Sequence, residues 1–146
     1  MSNLIFTRLS SREDPDIRQI AAVYELPEIA RYISLSDNYF DYVTNHVNVF
    51  FYKVHKNGEL VGTIHLEEDS KTLYMDILVF PEYQKQGIGT SILADIQNDV
   101  FGLDYEIIEV AIDQTNVASM KLFEKAGFVF VSQEDELRNY VYRKAG

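Results

Sequence analysis

The stretch "PEYQKQGIGTSIL" (81–93) sets Gly87 and Gly89 where an apolar strand hands over to a helix, with Lys85 just ahead of them. A helix entrance carries N–H groups without intrahelical partners and the positive end of the helix dipole, so it attracts an anion before any side chain contributes. With no side chains at 87 and 89, phosphate oxygens can reach several amides of Lys85, Gln86, Gly87, Ile88, Gly89 and Thr90, and Lys85 supplies a cation. That chemistry suits a diphosphate. Two common diphosphate loops do not fit: a Walker loop needs Gly-Lys-Ser/Thr after its glycines, and a dinucleotide fingerprint needs G-x-G-x-x-G, whereas this chain reads "GIGTSI". By themselves, two glycines more often serve a tight turn with close strand–helix packing, so the surrounding sequence has to decide.

A second group of reactive side chains precedes the glycines. Asp76 sits mid-strand in "YMDILVF", where an acidic residue is disfavoured by strand propensity and costly to bury. His65, Glu67 and Glu68 lie in the preceding strand, "LVGTIHLEE". Antiparallel strands carry alternate residues to one side of a sheet, and a bulge of one residue reverses which ones. Tyr32, Tyr39, Phe40 and Tyr42 are interleaved with Glu25, Glu28, Asp37 and Asp41. Most of these rings read as packing, but together with the acids they can also form an aromatic-lined mouth for a cationic amine, through ion pairing and cation–π contact.

The elements that must position these groups follow from periodicity. "LIFTRL" (4–9) alternates as a first strand, and "SREDPDIRQIAAVY" repeats Ile17, Ile20, Ala21 and Tyr24 at helical spacing. "LPEIARYISLS" is a second helix opened by a proline, and "DNYFDYVTNHV" reads as an irregular link. "VNVFFYKV" and "LVGTIHLEE" form a hairpin about Asn57-Gly58, and "TLYMDILVF" extends it to a three-stranded meander. A helix runs from the glycines to about Val100 with Ile88, Ile92, Leu93 and Ile96 on one face. "YEIIEVAI", the helix "NVASMKLFEKAG" and a terminal hairpin of "FVFVSQ" with "LRNYVYRK" complete the order β-α-α-β-β-β-α-β-α-β-β. The class is α/β in the mixed α+β sense, with no internal repeat or linker.

The chain has 146 residues, 47% of them apolar, which fits one domain over 1–146. It contains no cysteine, which excludes disulfides, thiolate nucleophiles and cysteine metal sites, and no metal is expected. A net charge of −10, from 23 acidic and 13 basic side chains, opposes contact with a nucleic-acid backbone. No apolar run is long enough for a membrane span, and "MSNLIFTRLS" lacks the layout of a secretory signal, so the expectation is a soluble cytoplasmic protein.

The run "LVFPEYQKQGIGTSIL" resembles the acyl-CoA loop of the GNAT acetyltransferase superfamily, a strand ending V-x-P followed by R/Q-x-x-G-x-G/A at a helix entrance; Val79, Pro81, Gln84, Gly87 and Gly89 stand in register. Further on, "NVASMKLFEKAGF" is similar to the family's second signature, N-x-x-S/A-x-x-L-Y-x-x-x-G-F, with Asn116, Ser119, Leu122, Gly127 and Phe128 in place. The resemblance implies a mixed, mainly antiparallel twisted sheet flanked by helices, with acetyl-CoA between splayed fourth and fifth strands. It implies that main-chain groups of Leu78 and Val79 bond the pantetheine arm, that the amides from Lys85 to Thr90 hold the diphosphate, that Gln84 belongs to the same cofactor loop, and that Asn116 contacts the pantetheine arm with Ser119 close by. The reaction it implies is direct acetyl transfer to the amine of a small molecule or peptide.

Such a transfer needs a base to free the amine's lone pair, and Asp76 is the first candidate, with Glu67, Glu68 and His65 behind it. The family commonly uses the tyrosine of its second signature to protonate the departing thiolate, but this chain has Phe123, which can only pack. Tyr140, Tyr142 and Tyr105 are other phenols on the later strands, and Tyr140 is carried as a candidate acid. Because thiolate is a tolerable leaving group near neutral pH, solvent can also suffice. The missing phenol equally motivates an alternative, a non-catalytic acyl-CoA sensor or interaction module. The terminal hairpin offers strand edges on which a homodimer can form.

Overall fold

A computed structural model describes residues 3–33 and 35–144. Its strands are β1 (Leu4–Arg8), β2 (Val49–Lys56), β3 (Glu59–Asp69), β4 (Thr72–Val79), β5 (Ile107–Asp113), β6 (Val129–Glu134) and β7 (Leu137–Arg143). Its helices are α1 (Ile17–Tyr24), α2 (Pro27–Ala30), α3 (Tyr39–Asn45), α4 (Ile88–Gln97) and α5 (Val117–Lys125). The strands form one seven-stranded sheet in the order β1-β2-β3-β4-β5-β7-β6. Asn57 and Gly58 both take positive φ, 53° and 83°, and close the β2–β3 hairpin as a two-residue turn between the paired Lys56 and Glu59.

Every strand pair is antiparallel except β4–β5, which the α4 crossover makes parallel. That pair is also short: only Thr72, Leu73 and Tyr74 meet Ile107, Ile108 and Glu109. Beyond Tyr74 the two strands part, and β4 continues to Val79 without β5 beside it. This opening is the expected splay.

The sheet buries a core on each face. On one, Ile88, Ile92, Leu93 and Ile96 of α4 and Phe123 of α5 pack on Ile64, Leu66, Leu73, Met75, Ile108 and Val110. On the other, Ile20, Tyr24, Ile29 and Val43 from α1, α2 and α3 pack on Val49, Phe51, Leu60 and Leu78. A partly buried ion triad fastens the loop before α1 to the sheet: Lys53 Nζ lies 2.8 Å from both Asp14 Oδ2 and Asp16 Oδ2. Among the described residues, no helix is long and apolar enough to cross a membrane.

Three boundaries differ from the periodicity. The second helix stops at Ala30 instead of continuing through "RYISLS". The serines and Asn38 that follow favour local turns, as in the Ser36 Oγ to Asn38 Oδ1 bond of 3.1 Å. The "irregular" link contains α3, seven residues rich in aromatics, which earns little from intrinsic propensity and is held by docking Tyr39, Phe40 and Val43 on the sheet. α4 ends at Gln97 rather than Val100, and Asp99 just beyond it has φ 62°.

Candidate active site

The loop after β4 is built for main-chain exposure. Pro81–Tyr83 makes a 3-10 turn, Gln84 Nε2 donates to the Val79 carbonyl at 3.0 Å, and Lys85 and Gly87 both take left-handed φ, 64° and 79°. A non-glycine residue at such a φ is uncommon, and here it turns the loop into the N-terminus of α4. Gly87 is the N-cap, and the bond from Ser91 N to Gly87 O (3.0 Å) opens the helical ladder, so the amides of Ile88, Gly89 and Thr90 precede it. A Cβ on Gly87 would meet nothing within 4 Å and would project into open space. Gly89 differs: its Cβ would lie 3.0 Å from Leu122 Cδ2, so this glycine also allows α4 and α5 to pack.

A cavity of about 480 Å³ runs from this loop along the end of β4 to the start of α5. It is lined by Leu78, Val79, Gln84, Lys85, Gly87, Ile88, Gly89 and Thr90 on one side and by Asn116, Ser119 and Phe123 on the other. Asn116 caps α5, its Oδ1 accepting from Ser119 N at 3.3 Å, so a second helix entrance faces the same space. Ile29, Ile33, Glu28 and Tyr32 close the far end. Of the predicted cofactor positions, Gln86 alone does not line the cavity; its side chain is exposed and turned back toward the Glu82 carbonyl.

A second cavity, about 360 Å³, opens where β3, β4 and β5 lie uncovered by helices. Its lining includes His65, Glu67, Tyr74, Asp76 and Glu109. The registers explain the gathering: His65 pairs with Asp76, and Glu67 with Tyr74, which in turn pairs with Glu109. The bulge lies at Val54/His55, before these positions, so alternation holds and all five share one face. Glu68 pairs with Leu73 and belongs to the opposite face. On β4, Asp76 lines this cavity and the next residue, Ile77, lines the larger one.

The electrostatics of this face are uneven. Asp76 opens to solvent at the cavity but is crowded by protein on its other sides. That desolvation, reinforced by the charge of Glu67 and opposed by His65, pushes its pKa above the usual carboxylate range. For Glu67 burial also acts upward, yet hydrogen bonds from His65 Nε2 (2.9 Å) and the Tyr42 hydroxyl (2.8 Å) outweigh it and hold the carboxyl low. Tyr24, buried and bonded to Thr63 at 3.1 Å, has its phenol pushed up to about 12, first by burial.

A model of the acetyltransferase (GNAT) family matches residues 12–128, most of the chain. The chain belongs to the GNAT acetyltransferase family. No curated protein matches its sequence significantly. Among solved structures, this GNAT fold superposes on a domain from Methanocaldococcus jannaschii with TM-score 0.82 at 17% identity, covering 98% of this chain and 99% of that one. It superposes equally on spermidine N-acetyltransferase from Vibrio cholerae in complex with CoA and spermine, with TM-score 0.82, 17% identity and coverage of 99% and 97%. Campylobacter jejuni N-acetyltransferase PseH with acetyl coenzyme A gives TM-score 0.78, 12% identity and coverage of 97% and 99%. At these identities the likeness establishes the GNAT fold: a mainly antiparallel sheet flanked by helices.

Tyr140 does not fit the role of acid in this GNAT site. It is fully buried in the core, its hydroxyl 3.3 Å from Glu124 Oε2, and it lines neither cavity. The expected acidic aromatic mouth is also dispersed. Glu28 and Tyr32 reach the larger cavity, while Asp41 pairs with Arg12 at 2.8 Å. Tyr39, Phe40 and Tyr42 dock α3 beside His65. Tyr74 and Glu109 were not singled out from sequence; their signal is parity with Asp76 and Glu67, readable only once the strand registers are known.

Proposed function

We propose that this protein is an N-acetyltransferase that moves an acetyl group from acetyl-CoA to a primary amine of a cationic small molecule or peptide by direct attack in a ternary complex. The observation that carries the reading is the parting of β4 from β5 after Tyr74, with two helix entrances lining the larger cavity and Asp76, beyond Tyr74 on β4, lining the smaller. The fit to a CoA donor rests on the cradle itself: left-handed Lys85 and Gly87, open space above Gly87, and the leading amides of α4. Structures of the same fold whose descriptions name CoA or acetyl coenzyme A support it.

In this reading the α4 entrance and Lys85 hold the diphosphate, and Asn116, Ser119 and the apolar Phe123 line the pantetheine arm. When bound, acetyl-CoA supplies the activated acyl group. Main-chain N–H near Val79 polarises the thioester carbonyl, a donor already in place when charge develops. Asp76, its pKa raised by desolvation, takes the amine's proton. Glu67 and Glu109, on either side of Tyr74, favour an acceptor carrying further positive charge, consistent with the amine named for the spermidine enzyme of the same fold. β6, at the edge of the sheet with Val129, Phe130 and Val131 exposed, is assigned to pairing with a second copy.

Calorimetric titration with acetyl-CoA and then CoA, followed by a thiol-release assay on mono-, di- and polyamines and peptides, tests this. Micromolar binding with release for a cationic amine is expected. Binding without release for any amine supports the sensor alternative, which Phe123 motivates, and absence of binding overturns the cradle assignment.

A further inference from the structure

Resting on the transferase reading, we propose that His65 stores the proton taken from the acceptor amine, receiving it from Asp76 through the hydroxyl of Tyr39 and holding it against Glu67. His65 bridges two partners: Nδ1 lies 2.6 Å from Tyr39 Oη and Nε2 lies 2.9 Å from Glu67 Oε1. Glu67 is ionised and accepts a second bond from Tyr42 on the same oxygen, so the ring nitrogen facing it must carry a hydrogen. That fixes the neutral ring as the Nε2–H tautomer, with Nδ1 accepting from Tyr39.

A ring held this way has one open valence for a proton, at Nδ1, and one route to it, through Tyr39. Asp76 is the cross-strand partner of His65 on the same face, and the Tyr39 hydroxyl reaches that ring at Nδ1. The step balances by two hops. Protonated Asp76 gives its hydrogen to Tyr39 Oη, directly or through one water, while Tyr39 passes its own hydrogen to Nδ1. Asp76 is again a carboxylate, Tyr39 stays neutral, and the imidazolium stands against the Glu67 carboxylate. After the amide leaves, the hops reverse and the proton departs through Asp76 to water entering the cavity. Tyr39 suits a relay that never becomes a phenolate, because burial first, and then its phenol and carboxylate neighbours, push its pKa up.

The groups facing His65 come from every element packed on it. They are Tyr39 and Tyr42 with nearby His46 from α3, Phe51 from β2, Glu67 on its own strand, and Asp76 across on β4; Tyr74 and Glu109 complete the cavity lining. Tyr24 of α1 touches the Tyr39 ring. None of these is a lysine or arginine, and the Glu67 carboxylate lies against the ring at Nε2. His65 is a positioning residue in this scheme: it acts through Asp76 and does not touch the acceptor.

The test compares His65→Gln, which can keep hydrogen bonds to Tyr39 and Glu67 but cannot store a proton, with Tyr39→Phe, which cuts the route and leaves the His65–Glu67 pair. Both should bind acetyl-CoA calorimetrically as the unaltered protein does. Both should lose at least roughly 10-fold in kcat near neutral pH, recover as pH rises and solvent base takes over, and show no further loss when combined. A kcat within twofold of the unaltered protein across pH 6–9 in either variant overturns the proposal while the transferase reading stands. If no amine is turned over, the transferase reading fails instead. Independently of turnover, 15N NMR of histidine-labelled protein reads the tautomer, and a neutral His65 in the Nδ1–H form overturns the store because Nδ1 is then not free to receive a proton.

Discussion

Gly89 stands so close to Leu122 that a Cβ placed on it would lie 3.0 Å from the leucine's Cδ2, the tightest approach between α4 and α5 recorded at a glycine. Gly89→Ala therefore presses on a partly buried apolar side chain rather than on the donor's diphosphate. The expected result is a loss of about 1 kcal/mol in stability, with acetyl-CoA affinity reduced only a few-fold. Pairing it with Leu122→Val, which removes bulk at the contact, should recover the melting temperature. A Gly89→Ala protein as stable as the parent would show that the two helices do not set their spacing here.

Gly87 acts by the other mechanism. Its φ of 79° disfavours any side chain, by roughly 1 to 2 kcal/mol, yet a Cβ there meets nothing within 4 Å. Gly87→Glu should fold, with a modestly lower melting temperature, and fail to bind acetyl-CoA because a carboxylate would occupy the anion cradle. Gly87→Ala should lose far less affinity. Retained micromolar binding by the glutamate variant would refute the diphosphate assignment.

Asp76→Asn separates catalysis from stability. Activity should fall roughly 100-fold with acetyl-CoA binding intact. Because crowding raises the folded-state pKa of Asp76 above the ordinary 3.8, the folded protein binds more protons than the unfolded chain between those two values. Stability contributed through this group therefore declines as pH rises through that window, and ionised Asp76 is a destabilising group at neutral pH. The asparagine variant should melt higher than the parent at pH 7, and the gap should close as pH drops below 3.8. Equal melting temperatures at pH 7 would mean that Asp76 is solvated like a surface carboxylate.

What was legible in the chain and what was not divides along physical lines. The Gly87 loop and the Asn116 cap are local devices: spacing along a few residues encodes a helix entrance, and both line the larger cavity. The seven strands follow from alternation and from the Asn57-Gly58 turn. The region from Leu26 to Val47 was poorly legible because its two short helices, α2 and α3, depend on docking of Ile29, Tyr39, Phe40 and Val43 rather than on periodicity. A phenol on a strand gives no sign in the sequence of which face it takes, and Tyr140 faces the core. The row Glu67–Tyr74–Glu109 could not be seen because it joins three strands distant in sequence, and only their registers align it.

Phe123 occupies the position at which the second signature commonly has tyrosine, and it packs edge-on against Phe128, with ring centroids 5.1 Å apart, while lining the larger cavity. Phe123→Tyr adds one oxygen that can reach that space without repacking the core. Acetyl-CoA affinity should be unchanged and kcat should rise by no more than a few-fold, since a thiolate leaves readily near neutral pH. A rise of 100-fold would instead show that protonation of the leaving group limits the parent protein.

Lys53 is nearly buried, and its ammonium is 2.8 Å from carboxylate oxygens of Asp14 and Asp16, holding the loop before α1 against β2. Burial acts against the ionised form of Asp14, but the hydrogen bonds from Lys53 and the Asp16 N–H, with the lysine's charge, outweigh it and leave its pKa below 3.8. Replacing Lys53 by methionine keeps the apolar stem and strands the Asp14 carboxylate without its partner. The expected loss is about 3 kcal/mol at pH 7, read from denaturant midpoints. The sign with pH follows from the depressed value: the triad's contribution is full above the unfolded pKa of 3.8 and is lost as pH falls through the folded one. The two proteins should therefore converge in acid. A difference that persists undiminished at pH 2 would assign the effect of Lys53 to packing of its stem rather than to its charge.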